Sequence, residues 1–148
     1  MKKTIALTLI TLFFTFPSFA NPIGKGLICK FIKSTSPNLF SHYVAFEFLK
    51  TTTFRYWFKL SNNDTITMYS DELFYSTTPK TILIKNSNYL VNWYLNRETL
   101  KLSPNKNYDG KFVRKCDAYS KVEFNLKIKE LNKKLQNNFD AQTVKNKI

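Results

Sequence analysis

One histidine, two cysteines and three glycines are all that this 148-residue chain holds of the residue types that most often build chemical sites. A single imidazole and two distant thiols leave no ligand set for a zinc ion, so no metal is expected. Three glycines, at 24, 26 and 110, form no Gly-rich phosphate loop, and no G-x-S-x-G elbow is present. Two cysteines are too few for a disulfide-dense miniprotein. Acidic charge is also scarce: 10 Asp+Glu stand against 23 Lys+Arg, a formal net charge of +13. No cofactor is implied, and no enzyme signature stands out. What is present in quantity is core material. Apolar residues make up 43% of the chain and aromatics 16%, enough to exclude disorder, and the length predicts one domain.

The N-terminus reads as an export signal. Lys2 and Lys3 precede an apolar stretch at 4–16, which is shorter than the roughly twenty residues that span a bilayer. Ser18 and Ala20 supply the small residues of a cleavage site, so processing after Ala20 is expected. Residues 1–20 are then a signal peptide, 21–119 a β-rich domain, 120–140 a helix packed on it and 141–148 a frayed tail, with no transmembrane segment after processing. Losing two lysines leaves 21 basic and 10 acidic groups, a net of +11. In the periplasm or outside the cell, two cysteines most simply form one disulfide, Cys29–Cys116.

Short apolar runs separated by turn residues dominate the middle of the chain. Strands are predicted at 27–32, 43–49, 54–60, 65–70, 81–85, 89–96, 100–102 and 111–116, with turns such as Ser61-Asn62-Asn63-Asp64 between them. This spacing predicts a mainly β fold, an antiparallel meander forming a small barrel or a sandwich. Matching apolar positions pairs Phe48 with Phe54, Phe46 with Tyr56 and Val44 with Phe58, and puts Glu47 opposite Arg55. Leu60 then falls against Ile66 and Phe58 against Met68. Even-numbered residues would build the core, with Trp57 beside Tyr69 on the outer face. Further on, Ser120 and Glu123 form a capping box, and Phe124, Ile128, Leu131, Leu135 and Phe139 recur at helical spacing. Residues 121–128 also alternate as a strand would; the cap and the longer stripe favour helix.

Two surfaces are candidates for binding. Tyr43, Arg55, Trp57, Lys59 and Tyr69 would interleave aromatic planes with cations, which suits sugar rings, bases or anionic polymers. The same face has two other readings, as the seat of the C-terminal helix or as plain cross-strand pairing in solvent. The second surface is basic. A Cys29–Cys116 bond would gather segments 21–33 (+3) and 101–115 (+4), bringing Lys30, Lys33, Lys111, Arg114 and Lys115 together with Lys25, Lys101 and Lys106. The composition tempers this: there are twenty Lys, fifteen Asn and only three Arg, a bias that inflates lysine everywhere. Arginine is the residue of bidentate phosphate recognition, so specific nucleic-acid binding is not expected. His42 reads as an exposed loop histidine, because Glu47, five residues on, points to the opposite face of an extended strand.

The run Trp93-Tyr94-Leu95-Asn96-Arg97-Glu98-Thr99-Leu100-Lys101-Leu102 resembles a W-x-(I/L)-N-R-x-T-(G/L)-x-L strand–turn–strand signature. It is similar to that of small exported bacterial β-rich proteins of unknown function that run from an early to a late Cys. Leu100 stands where a glycine is more usual in that pattern. The resemblance implies an exported β-domain and no catalytic residues, with Arg97 as a cross-strand or cap partner. The function expected is that of a non-enzymatic binding protein whose partner is a protein or an anionic envelope component. A small hydrolase using His42 and a purely structural envelope protein are the alternatives.

Overall fold

The computed structural model describes residues 21–32, 42–85, 92–105, 110 and 112–145. Eight strands follow one another: β1 (Lys25–Phe31), β2 (Tyr43–Phe48), β3 (Thr52–Leu60), β4 (Ile66–Thr77), β5 (Thr81–Lys85), β6 (Trp93–Asn96), β7 (Lys101–Ser103) and β8 (Arg114–Ser120). Each pairs antiparallel with its sequence neighbours, and β8 returns to β1, so the meander closes as a barrel rather than a sandwich. Closure removes the unpaired edges that an open sheet would leave. The seam runs from Lys25↔Ser120 to Phe31↔Arg114, and at Cys29↔Cys116 it carries the expected disulfide, wholly buried.

Alternation along the strands divides the barrel's inside from its outside. Leu27, Cys29, Val44, Phe46, Phe48, Leu73, Ile82, Ile84, Leu95, Leu102 and Cys116 point inward and form one apolar core. A membrane-spanning barrel carries the reverse polarity, with a polar lumen and an apolar outer band. Among the described residues no helix is long and apolar enough to cross a membrane.

The chain after β8 forms α1 (Lys121–Lys145). Its start is held by the capping box: the Ser120 N–H donates to Glu123 Oε2 at 3.0 Å, and the Glu123 N–H to Ser120 Oγ at 3.4 Å. Phe124, Ile128, Leu131 and Leu135 are buried and Phe139 partly so, against Ala45, Phe58 and Ile66 on the outside of the barrel. Close approach needs a gap in the wall, and Gly26 supplies it. A Cβ there would lie 2.2 Å from ring atoms of Phe124. The helix runs to Lys145, through part of the expected frayed tail, with the Thr143 hydroxyl donating to the Phe139 carbonyl at 3.0 Å.

One pairing differs from the expectation. β2 and β3 meet as Ala45↔Tyr56, Phe46↔Arg55, Glu47↔Phe54 and Phe48↔Thr53, one residue away from the predicted register. Even positions of β2 therefore share the inner face with odd positions of β3. The reason is that both faces of β3 are covered in part, one by the barrel and the other by α1. Phe54, Tyr56 and Phe58 face outward toward the helix side, while Thr53 is buried in the barrel with its hydroxyl donating to the Glu47 carbonyl at 2.9 Å. The β3–β4 pairing is the predicted one, with Leu60↔Ile66, Phe58↔Met68 and Trp57↔Tyr69. It extends further than expected, because β4 continues past Ser70 to Thr77.

Candidate functional site

The β3–β4 hairpin is the longest pairing in the barrel, running from Thr52↔Phe74 to Leu60↔Ile66. Its pairing with β2 ends at Ala45↔Tyr56 and that with β5 at Phe74↔Lys85. Residues 57–60 and 66–69 thus form a two-stranded ribbon. Such a ribbon is marginal by itself, and α1 stiffens it from behind. Phe58 and Ile66 pack with Leu131 and Leu135, and Gln136 Oε1 accepts from the Ile66 N–H at 2.6 Å. Gln136 Nε2 also donates to the Asp64 carbonyl in the hairpin turn at 3.1 Å.

The front of the ribbon, continuous with the barrel's inner face, carries a ladder of cations and rings. Arg55 and Asp71, directly opposite, form a bidentate pair at 2.9 Å (Nε to Oδ1) and 2.5 Å (Nη2 to Oδ2). The Arg55 guanidinium lies 4.9 Å from the Trp57 ring. Trp57 stacks on Tyr69 with centroids 6.0 Å apart and planes 19° from parallel. Lys59 completes the series, its ammonium 5.7 Å from the Tyr69 ring. Cross-strand aromatic pairs and cation–π contacts favour this arrangement of the ladder. It is accessible, with Tyr69 42% exposed and Lys59 exposed, while Arg55 and Trp57 are half-buried.

Four of the five expected face residues are thus together, on the inward rather than the outer face. Tyr43 is not with them. It lies on the outside of β2 among the groups packed near α1, with the Lys30 ammonium 5.8 Å from its ring. The helix covers the opposite side of β3, so the ladder is not its seat. The expected Glu47–Arg55 pair is also replaced. Glu47 binds Lys121 at 3.1 Å and accepts from the Tyr56 hydroxyl at 3.0 Å. Burial, with the hydrogen bond and charge of Glu47, pushes that phenol up to about 12. Asp71, the carboxylate that orients Arg55, was outside the predicted strand. Extending the Trp57↔Tyr69 register by two residues finds it.

The basic surface divides. Arg114 leaves it, because its position on β8 faces inward. The guanidinium is buried 3.7 Å from the Phe31 ring and 5.0 Å from Trp93. Burial lowers its pKa to about 10, which leaves it a cation at neutral pH. Outside, Lys101↔Lys115 and Lys115↔Lys30 are cross-strand partners, and all three are exposed. Lys33, Lys106 and Lys111 fall outside the described residues. His42 is half-buried, its ring edge-on to Phe31 at 6.3 Å, rather than exposed. Among the described residues no group of three His, Cys, Asp or Glu side chains could hold a metal.

No family model, curated protein or solved structure matches this chain. The site is therefore read from its own chemistry. The Trp93–Leu102 segment is strand, turn and strand, with Asn96 Oδ1 accepting from the N–H groups of Glu98 and Thr99 at 2.9 and 2.8 Å. Leu100 takes the left-handed conformation, φ 52°, in place of the more usual glycine. Arg97 donates to the Thr78 carbonyl at 2.7 Å, tying two turns at one end of the barrel.

Proposed function

We propose that the protein is an exported, non-enzymatic binding protein. The front of the β3–β4 ribbon would take an acidic polysaccharide of the cell envelope. The buried disulfide suits an oxidising compartment, the periplasm or the exterior. The observation that carries the reading is the Arg55–Trp57–Tyr69–Lys59 ladder. Its aromatic rings suit the apolar faces of sugars, and Arg55 and Lys59, one at each end of the ring pair, supply cations for charged ring substituents. Net positive charge speeds the encounter with a polyanion and makes it salt-sensitive. Asp71 holds the Arg55 fork in a fixed orientation, so little side-chain entropy is lost on binding.

The test is titration with a uronic-acid oligosaccharide, followed by tryptophan fluorescence and calorimetry. Saturable binding that weakens with salt and drops at least tenfold in Trp57→Ala is the expected result. A folded Arg55→Ala/Trp57→Ala double variant with the parental affinity overturns the assignment.

A further inference from the structure

The outside of the β1–β8 seam carries a row of like charges. Lys101 stands directly across from Lys115, and Lys115 from Lys30, on three neighbouring strands about 4.8 Å apart. All three side chains are on the outer face and exposed, because Leu102, Cys116 and Cys29 beside them fill the inside. Like charges set opposite one another weaken a sheet, so the row works against the fold that carries it. The buried Cys29–Cys116 bond, one residue along, holds β1 and β8 together against that repulsion. We infer that this row docks the barrel on an anionic phospholipid bilayer.

Two of the three cations are positioned by their surroundings. The Lys30 ammonium lies 5.8 Å from the Tyr43 ring, and that of Lys115 donates to the Thr99 carbonyl at 2.6 Å. Asp117 shares the outer face of β8 but sits two residues along, opposite Ile28, so the row itself is purely cationic. What favours a bilayer over an acidic glycan is apolar surface at the end of the same seam. The Ile32 N–H donates to the Val113 carbonyl at 3.1 Å, which carries the seam one step past Phe31↔Arg114. Ile32 and Phe112 are thereby brought to one end of the seam, and each is nearly half exposed, at 49% and 47%. A bilayer takes up apolar groups at the boundary of headgroups and acyl chains while its phosphates meet the cations. An aliphatic side chain such as Ile32 adds nothing to contact with a hydrated polyanion. The row shares no residue with the ribbon ladder, and this inference stands apart from the polysaccharide reading.

The experiment is co-sedimentation of the exported protein with vesicles of phosphatidylcholine, alone or mixed with phosphatidylglycerol. The anionic vesicles should bind it about a hundredfold more tightly than the neutral ones, and salt should weaken that binding. Each lysine near an anionic surface is worth about fivefold in partitioning, so Lys30→Gln/Lys101→Gln/Lys115→Gln should lose about a hundredfold. Because it removes the opposed charges, that variant should melt no lower than the parent. Ile32→Ser should weaken binding about tenfold, while Trp57→Ala leaves vesicle binding unchanged. Equal binding to the two vesicle types, unchanged binding by the triple variant or by Ile32→Ser, or a loss in Trp57→Ala as large as in the triple variant each overturns the proposal. So does a triple variant that loses uronic-acid oligosaccharide and keeps the vesicles, which would make the row a glycan surface. Should the triple variant not fold, the about fivefold loss in Lys30→Gln decides alone.

Discussion

The back and the front of the β3–β4 ribbon draw on similar residues and end in opposite states. Behind lie Tyr56, Phe58 and Ile66; in front lie Arg55, Trp57, Tyr69 and Asp71. Phe58 is 3% exposed and Tyr69 42%. Aromatic content does not account for the difference, since both faces have it. What differs is that α1 covers one face, and the uncovered face carries cations on its rings. The helix packs on the side opposite the ladder, which leaves a charged aromatic surface partly open to contact.

Ways to break this contrast can be ranked. Reduction of Cys29–Cys116 acts on both faces together, because it opens the seam on which the barrel depends. Closing a loop of 87 residues stabilises the fold by about 4–5 kcal/mol in the chain-entropy model, so the melting temperature under reductant should fall steeply. An unchanged melting curve would show that β1–β8 pairing holds the seam without the bond.

The back alone is addressed at Gly26 and Phe124. Phe124→Ala empties a buried position and should cost about 3–5 kcal/mol, and Gly26→Val should cost about 1–3 kcal/mol through collision with the ring. Combined, the valine enters the space that the phenyl leaves, so denaturant unfolding should give a double-variant loss well below the sum of the two. Strict additivity would mean that Gly26 does not set the helix's approach.

A smaller effect is expected at the start of α1. Ser120→Ala removes the cap and should cost about 1 kcal/mol. Its hydrogen bonds to Glu123 hold that carboxyl below its usual range. A carboxyl depressed in the folded state adds stability above its unfolded pKa, and loses it as pH falls through the folded one. Parental stability should therefore decline on the acid side of the ordinary carboxylate range, and the Ser120→Ala variant should show a shallower decline there.

Local signals carried much of this architecture. Turn residues marked all eight strands, and the stripe from Phe124 to Phe139 marked the helix and the side it buries. The β2–β3 register was illegible for a physical reason. Pairing by polarity assumes that a strand's more apolar face turns toward the barrel interior, but Tyr56 and Phe58 turn toward a helix more than sixty residues away in sequence. Phe46 accordingly lies opposite Arg55, a pairing that polarity alone disfavours. The ladder was legible because Arg55, Trp57 and Lys59 alternate on one strand and the β3–β4 register adds Tyr69. Tyr43 was assigned to it only through the shifted register.

The central claim is that α1 packs on the face of the ribbon opposite the ladder. Nuclear Overhauser contacts from the methyl groups of Leu131 and Leu135 test it most directly. The account predicts cross-peaks to the Phe58 ring and the Ile66 side chain, and none to the Trp57 indole or the Tyr69 ring. Cross-peaks from those methyls to Trp57 or Tyr69 would contradict it.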